Sequence, residues 1–448
     1  MKRYISLFLG VLFTLTVSAQ HPWELSPDPA DLRAGRTFRT EILPYNTRQD
    51  AETRNRAGAG YHIDFAPKAM IEQGEIGIYG STYEIPYAWT DGSIYLHLEN
   101  VGSAYTLLVN DQPVAEVEDP LTPADFHLTP VMHQGENSFR LLLRPSRTPQ
   151  INPSPAVTRP RFAESYLFYQ EKRSIRDFEI ELVPDSLHRN GILNIRFVAQ
   201  NGYNYEEQVE AGYDIYSPQG KLLDFNFRAI PIPGRSIDTI HFEPFIYHVY
   251  ENCWKAEQKR LPPVYRVMLY MRRNGTYKEY LPLLVGFGRT ELINGRIVRF
   301  DEELQLVKQA YNAAVDAKTT LAEIKLLKAK GINTLCPSYP QPAWFYDLCT
   351  EQGMYVIDCA AIDAPEHRSD RKVGGTPSND PTLCAEYIER VKAMYYRSRN
   401  FPCVIAYALG NPSGNGYNMY KAYEWLKGVE KYRPVLYEDA AGEWNTDL

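Results

Sequence analysis

The C-terminal third of the sequence carries the side chains that could do acid–base chemistry. Asp358, Asp363, Glu366, Glu438, Asp439 and Glu443 fall near the ends of apolar stretches that read as strands. Two carboxyls brought together across a cleft could divide the roles of proton donor and proton acceptor, although Asp and Glu more often end as solvated loop or helix-start residues. Imidazole is scarce here, because His367 is the one histidine after Leu292. The six cysteines, at 253, 336, 349, 359, 384 and 403, include no C-x-x-C pair, so neither a zinc site nor a thioredoxin-like centre is indicated. No spacing in the chain calls for a metal or a cofactor.

These residues need a scaffold, and the sequence after "LINGRIVRF" supplies an alternation of helix and strand. A helical stretch runs to Lys330, followed by "GINTLC", a helix around Phe345 to Gln352, "GMYVIDC", a helix from about Pro381 to Arg397, "CVIAYALG", a helix from Tyr417 to Lys431, and "RPVLYED". That spacing signals parallel βα units, about five strands if "RIVRF" is counted as the first. Upstream the chain is β-rich. "SIYLHLENVGSAYTLLVNDQPVAEVED" alternates apolar and polar residues and breaks at Asn110-Asp111, as a jelly-roll sandwich would. "GILNIRFVAQ", "EAGYDIYSPQGKLLDFNFR" and "VYRVMLYMRRNGTYKEYLPLLVGFG" have the spacing of a smaller immunoglobulin-like sandwich.

The first 19 residues have the layout of a secretory signal peptide: Lys2 and Arg3, an apolar run from Ile5 to Val17, and small residues ending at Ala19. The run is too short to span a bilayer, and no later segment is long and apolar enough to do so. An exported protein of the periplasm or cell surface is the expectation. The formal charge is −7, and losing Lys2 and Arg3 with the leader makes it more negative, which argues against nucleic acid as a partner. Thirty-three tyrosines suit either β-sandwich packing or stacking on sugars.

The order of domains, with "VNDQPV", "TPADF", "VGFGRTELINGRIV", "PQPAWFYDLCTEQGMYVID", "RSRNFPCVIAYALGN" and "YRPVLYE", resembles glycoside hydrolase family 2, the β-galactosidase and β-glucuronidase group. The resemblance implies a multidomain β plus α/β chain: leader 1–19, jelly-roll sugar-binding-like domain 20–178, immunoglobulin-like sandwich 179–290, and an incomplete TIM-type barrel 291–448. It also implies retaining hydrolysis by two carboxyl groups about 5 to 5.5 Å apart, at the carboxyl ends of barrel strands.

The residues depart from that chemistry. The family's acid/base glutamate follows a Gly-Asn pair, here Gly410-Asn411, and the next residue is Pro412, which has no ionisable group. Where the family reads Arg-Thr-Ser-His-Tyr-Pro, this chain reads Leu335-Cys336-Pro337-Ser338-Tyr339-Pro340. In place of Asp-Glu-Ala-Asn-Ile-Glu followed by a histidine it has Asp358-Cys359-Ala360-Ala361-Ile362-Asp363, with Pro365 at the histidine position. The family groups replaced there bind sugar and, in β-galactosidases, magnesium. The Asn/His loop after the first strand is expected to be replaced by "DEELQLVKQAY", and the nucleophile's seventh strand is expected beyond Leu448.

Two functional readings follow. One is a non-catalytic exported module that binds a glycan through Tyr339, Trp344, Tyr407 and Asn411, or that serves as a scaffold whose partner, another envelope protein, covers the incomplete barrel. Trp344 and Tyr407 fit helix-packing and strand-core positions equally well. The alternative is an active exo-β-glycosidase, β-galactosidase-like, using Asp358, Asp363 or Glu438 as substitute carboxylates or borrowing residues from another chain. Cys336 and Cys359, at the ends of adjacent strands, are candidates for a disulfide across the vacated site or for two free thiols; the other cysteines read mostly as buried thiols.

Overall fold

The computed structural model describes residues 34–56, 61–73, 76–152, 160–187, 189–257, 259–314 and 316–448; the leader lies outside them. Two five-stranded antiparallel sheets, between Gly35 and Glu171, pack face to face as the jelly-roll sandwich. Their core is aromatic and aliphatic, with Phe65, Leu96, Leu107, Phe126, Phe139, Leu141 and Leu167 buried. The Asn110-Asp111 turn joins Ala104–Val109 to Gln112–Val117, and both turn residues have positive φ, 49° and 64°, as the two-residue turns that match strand twist require.

A second sandwich spans Arg173 to Val285, with sheets of four strands each. Next comes a short antiparallel meander, in which Thr290–Ile293 pairs with Arg296–Arg299 across Asn294-Gly295. The structure corrects one expectation here: "RIVRF" is not the first barrel strand. Asn294 and Gly295, at φ of 51° and 74°, form a tight hairpin turn, which forces antiparallel pairing where a barrel strand must be parallel.

The barrel sheet consists of Lys308–Ala310, Thr334–Cys336, Tyr355–Cys359, Val404–Ala408 and Val435–Leu436, five parallel strands in sequence order. Helices Ala317–Ala329, Ala343–Gln352, Cys384–Ser398 and Tyr417–Val429 accompany them. Asp316 caps the first helix by accepting from Thr319 N–H, and Gly353 ends the second in the left-handed conformation, at φ 68°, as helix ends commonly do. No helix among the described residues is long and apolar enough to cross a membrane.

Three arginines at and just beyond Cys384–Ser398 tie the barrel to the sandwiches. Arg390 donates to the carbonyls of Ile151 and Ala361 and to Asn152 Oδ1. Arg397, one heptad on and so on a similar helix face, pairs with Glu41 and Glu99. Arg399 donates to Thr40 Oγ1, Asp177 Oδ1 and the Phe178 carbonyl. All three are at most 5 % exposed, so their charges must be met by these partners.

Candidate functional site

Alternation along the barrel strands decides which side chains face the cleft. Ala310, Cys336, Ile357, Cys359, Ala408 and Leu436 point to the concave side, whereas Val356, Asp358, Ile405 and Tyr407 point into the layer between sheet and helices. The concave side opens into a cleft of about 700 Å³. Its rim, at the carboxyl ends of the strands, carries Tyr311, Asn312, Ser338, Asn411, Pro412, Glu438 and Thr446, and Lys308 also lines it. Among the described residues Glu438 is the one carboxylate side chain on this lining and Lys308 the one ammonium.

Of the candidate sugar contacts, Asn411 lines the cleft, but its amide already donates to the carbonyls of Ser338 and Ile362 at 3.0 Å each. Tyr339 is half-buried and outside the lining. Trp344 and Tyr407 are elsewhere. Trp344 lies on Ala343–Gln352 and lines a crevice where the barrel meets the two sandwiches. Tyr407 is fully buried, with Tyr395 5.7 Å away and the Arg433 guanidinium over its ring at 4.8 Å. In both cases the side chain takes the packing position.

The substitute carboxylates separate in the same way. Asp358 is fully buried on the helix side, where the Tyr346 hydroxyl donates to both of its oxygens at 3.0 Å. Burial outweighs the hydrogen bonds from Ser398, Tyr346 and Cys359 N–H and raises its carboxyl to about 7. A perturbed carboxyl often marks an active site, but this one faces away from the cleft and meets no substrate. Asp363 follows Ile362 on the loop, its N–H donating to the Ile151 carbonyl of the first sandwich, and is not on the cleft lining. Only Glu438 faces the cleft. Glu366 is exposed, Asp439 accepts from Gly414 N–H and pairs with Arg368, and Glu443 accepts from the Tyr420 hydroxyl.

Cys336 and Cys359 both line the cleft as free thiols. Their strands pair in the register Leu335↔Val356, so Cys336 stands level with Ile357 and Cys359 is two residues further on. At ~3.3 Å per residue and ~4.8 Å between strands the Cα atoms lie roughly 8 Å apart, beyond the usual range for a disulfide.

The Asn312 region was misread from sequence. Lys308–Ala310 is the first barrel strand, so Tyr311-Asn312 stands at its carboxyl end; an asparagine is present in that loop, without a histidine. Asn312 accepts from Ser338 N–H at 2.9 Å and donates to Ser338 Oγ at 2.9 Å, bridging the first two strand ends. The short "KQAYN" string before a helix cap was the available signal.

A single group of three metal-type ligands occurs among the described residues, Glu41, His97 and Glu99, away from the cleft at the junction of the first sandwich with Cys384–Ser398. The cation already among these groups is the Arg397 guanidinium, paired with both glutamates. His97 is held between Asp125 at 2.7 Å and Glu99 at 3.0 Å. The arrangement is a neutralised ion network joining two domains.

Comparison with known proteins accords with this architecture. Residues 44–147 match the sugar binding domain of glycosyl hydrolases family 2, and residues 307–447 match that family's TIM barrel domain, together more than half of the chain. The chain is 27 % identical over 408 residues to a β-galactosidase of Lactococcus lactis subsp. lactis (strain IL1403), covering 86 % of this chain and 38 % of the relative. It is 25 % identical, with the same coverages, to a β-galactosidase of Klebsiella pneumoniae (strain 342). It thus spans well under half the length of these relatives. Among solved structures, a Bacteroides uniformis β-glucuronidase superposes with a TM-score of 0.69 at 17 % identity, over 82 % of this chain and 46 % of that one. At that identity the likeness is one of fold. With both the sandwich and the barrel matched by models of one family, and β-galactosidases of that order along most of its length, the chain belongs to glycoside hydrolase family 2.

Proposed function

We propose that this chain is an exported carbohydrate-binding member of the family that does not hydrolyse its ligand. The observation that carries the reading is the make-up of the cleft: it is lined by Pro412, which follows the Gly-Asn pair where the family resemblance implies the acid/base glutamate, and among the described residues Glu438 is the only carboxylate side chain on the lining. Retaining hydrolysis divides its work between two carboxyls; a lone glutamate cannot protonate the leaving group and attack the anomeric carbon in the same step. The Glu438 carboxylate and the Lys308 ammonium, both exposed on the lining, suit the hydroxyl-rich edge of a sugar, while Ile357 and Leu436 offer an apolar floor. The same apolar inner face, continued by Ala310, Cys336, Cys359 and Ala408, favours a second reading, in which a partner protein of the cell envelope docks there.

The test combines turnover and binding. Purified protein, Pro412→Glu and Glu438→Gln are assayed on a panel of nitrophenyl α- and β-glycosides, and glycan binding is measured for the parent and for Lys308→Ala. No turnover by any form, with binding weakened at least tenfold by Lys308→Ala, is expected. Reproducible turnover abolished by Glu438→Gln would overturn the reading; absence of glycan binding would leave the docking role in its place.

A further inference from the structure

The second sandwich ends in an unusual edge. Among the described residues Leu222–Ile232 pairs only with Glu207–Tyr216, so one side of an 11-residue strand has no neighbouring strand there. Long exposed apolar edges are association sites that proteins normally blunt; here Pro231 and the irregularity at Leu223 stand near the two ends of the strand and leave the stretch from Asp224 to Arg228 open between them. Phe225 is 64 % exposed and Phe227 47 %, both on one face, while Asp224, Asn226 and Arg228 occupy the other.

The backbone there is open for pairing. The Asn226 carbonyl turns inward, where it accepts from the Tyr270 hydroxyl at 3.3 Å. Peptide groups alternate between the two edges of a strand, so those of Phe225 and Phe227 turn outward. The outward Phe227 N–H is met by the side-chain Oδ1 of Asn226 at 2.8 Å, a contact within its own dipeptide that another strand can replace.

We propose that this edge joins two copies of the chain in a two-fold antiparallel pairing centred on Asn226. The stretch is self-complementary about that residue. In such a pairing Asp224 lies opposite Arg228 of the second copy, and Arg228 opposite its Asp224, so two opposite-charge pairs form on one face. On the other face Phe225 meets Phe227 twice. Opposite charges and aromatic rings directly across an antiparallel pair are both favourable, and a two-fold joint uses each of them twice. Phe225 of one copy and Phe227 of the other exchange their outward N–H and C=O groups, which leaves the two Asn226 residues as the close, non-hydrogen-bonded pair. Arg272 already stacks on Phe227 at 4.2 Å, holding that ring in place for a second copy. The strand's irregularity, which leaves Leu223 without a cross-strand partner, lies outside the paired core from Asp224 to Arg228.

Sedimentation velocity of the purified chain over a concentration series, with Asp224→Arg, Arg228→Asp and the double variant, tests the joint. The parent is expected to dimerise, each single reversal to weaken the dimer at least tenfold, and the double reversal to restore it. Asp224 also accepts from the Tyr213 hydroxyl at 2.7 Å, so a reversal there can disturb the fold for reasons unrelated to the joint. Asn226→Cys avoids that. Its side chain is exposed, and in the proposed register the two Cα atoms stand ~4.5 Å apart, within disulfide range. Mild oxidation is then expected to give a covalent dimer on a non-reducing gel that the parent, with its own six cysteines, does not form. A parent that stays monomeric up to about 100 μM, a protein concentration that populates even weak dimers, overturns the proposal. So does a dimer indifferent to both reversals, or one in which Asn226→Cys fails to crosslink.

Discussion

Tyr346 and Asp358 meet inside the layer between the barrel sheet and its helices, the phenol hydroxyl 3.0 Å from each carboxylate oxygen and both residues without solvent exposure. The most strongly acidic-looking position of the third barrel strand is therefore a structural carboxyl, held next to a helix and turned away from the cleft.

That placement gives stability a pH dependence of known sign. Burial raises the Asp358 carboxyl to about 7, well above an unfolded aspartate near 3.9. Between those values the folded chain keeps a proton that the unfolded chain has lost, so stability falls as pH rises through the window and levels off above it. Asp358→Asn, which keeps an acceptor for Tyr346, is expected to remove a slope of up to ~1.4 kcal/mol per pH unit. Urea unfolding at pH 5, 6, 7 and 8 measures it; parallel curves for parent and variant would show that Asp358 does not titrate there.

His97 works in the opposite chemical sense. Burial alone would lower its pKa, but hydrogen bonds and charge from Asp125 and Glu99 outweigh burial and raise it to about 9. The imidazolium's contribution is fully present below the unfolded value of about 6.5 and is lost as pH climbs through about 9. His97→Asn is expected to cost ~3 kcal/mol at pH 6, since it leaves the buried Asp125 carboxylate without its cation while Glu99 keeps Arg397, and much less at pH 9.5. Melting temperatures of both proteins at the two pH values decide the matter.

Arg399 is the clearest interdomain tie. Its guanidinium donates to Thr40 Oγ1, Asp177 Oδ1 and the Phe178 carbonyl from a buried position. Arg399→Met removes the charge and keeps much of the bulk, leaving Asp177 buried. Removing one partner of a buried pair costs about 3–5 kcal/mol, and the loss is expected to fall on the junction first. Limited proteolysis should release the barrel from the sandwiches in the variant at a denaturant concentration where the parent resists.

All six cysteines are free thiols. Titration with a thiol reagent in denaturant, without reductant, is expected to return six equivalents per chain. A value of four would mean that a disulfide forms after all, and would contradict the register that holds Cys336 and Cys359 apart.

Sequence by itself determined a good deal. The order of two sandwiches and a βα barrel is written in the switch from two-residue to helical periodicity after residue 300, and Pro412 is read directly after Gly410-Asn411, where the family resemblance implies a glutamate. It could also have excluded "RIVRF" from the barrel, because Asn294-Gly295 is a hairpin turn. The phase of the buried strands was not legible. In "YVIDC" every residue is buried, so hydrophobicity does not distinguish the two faces, and a strand covered on both sides carries no alternation to read. Tertiary packing made that choice, sending Asp358 to the helices and Cys359 to the cleft, and in the next strand Tyr407 to the helices. The ion network of Arg397 with Glu41 and Glu99 was equally invisible, since the nearer of the two glutamates lies 298 residues from Arg397 in the chain and only the docking of barrel on sandwich brings opposite charges into one buried space.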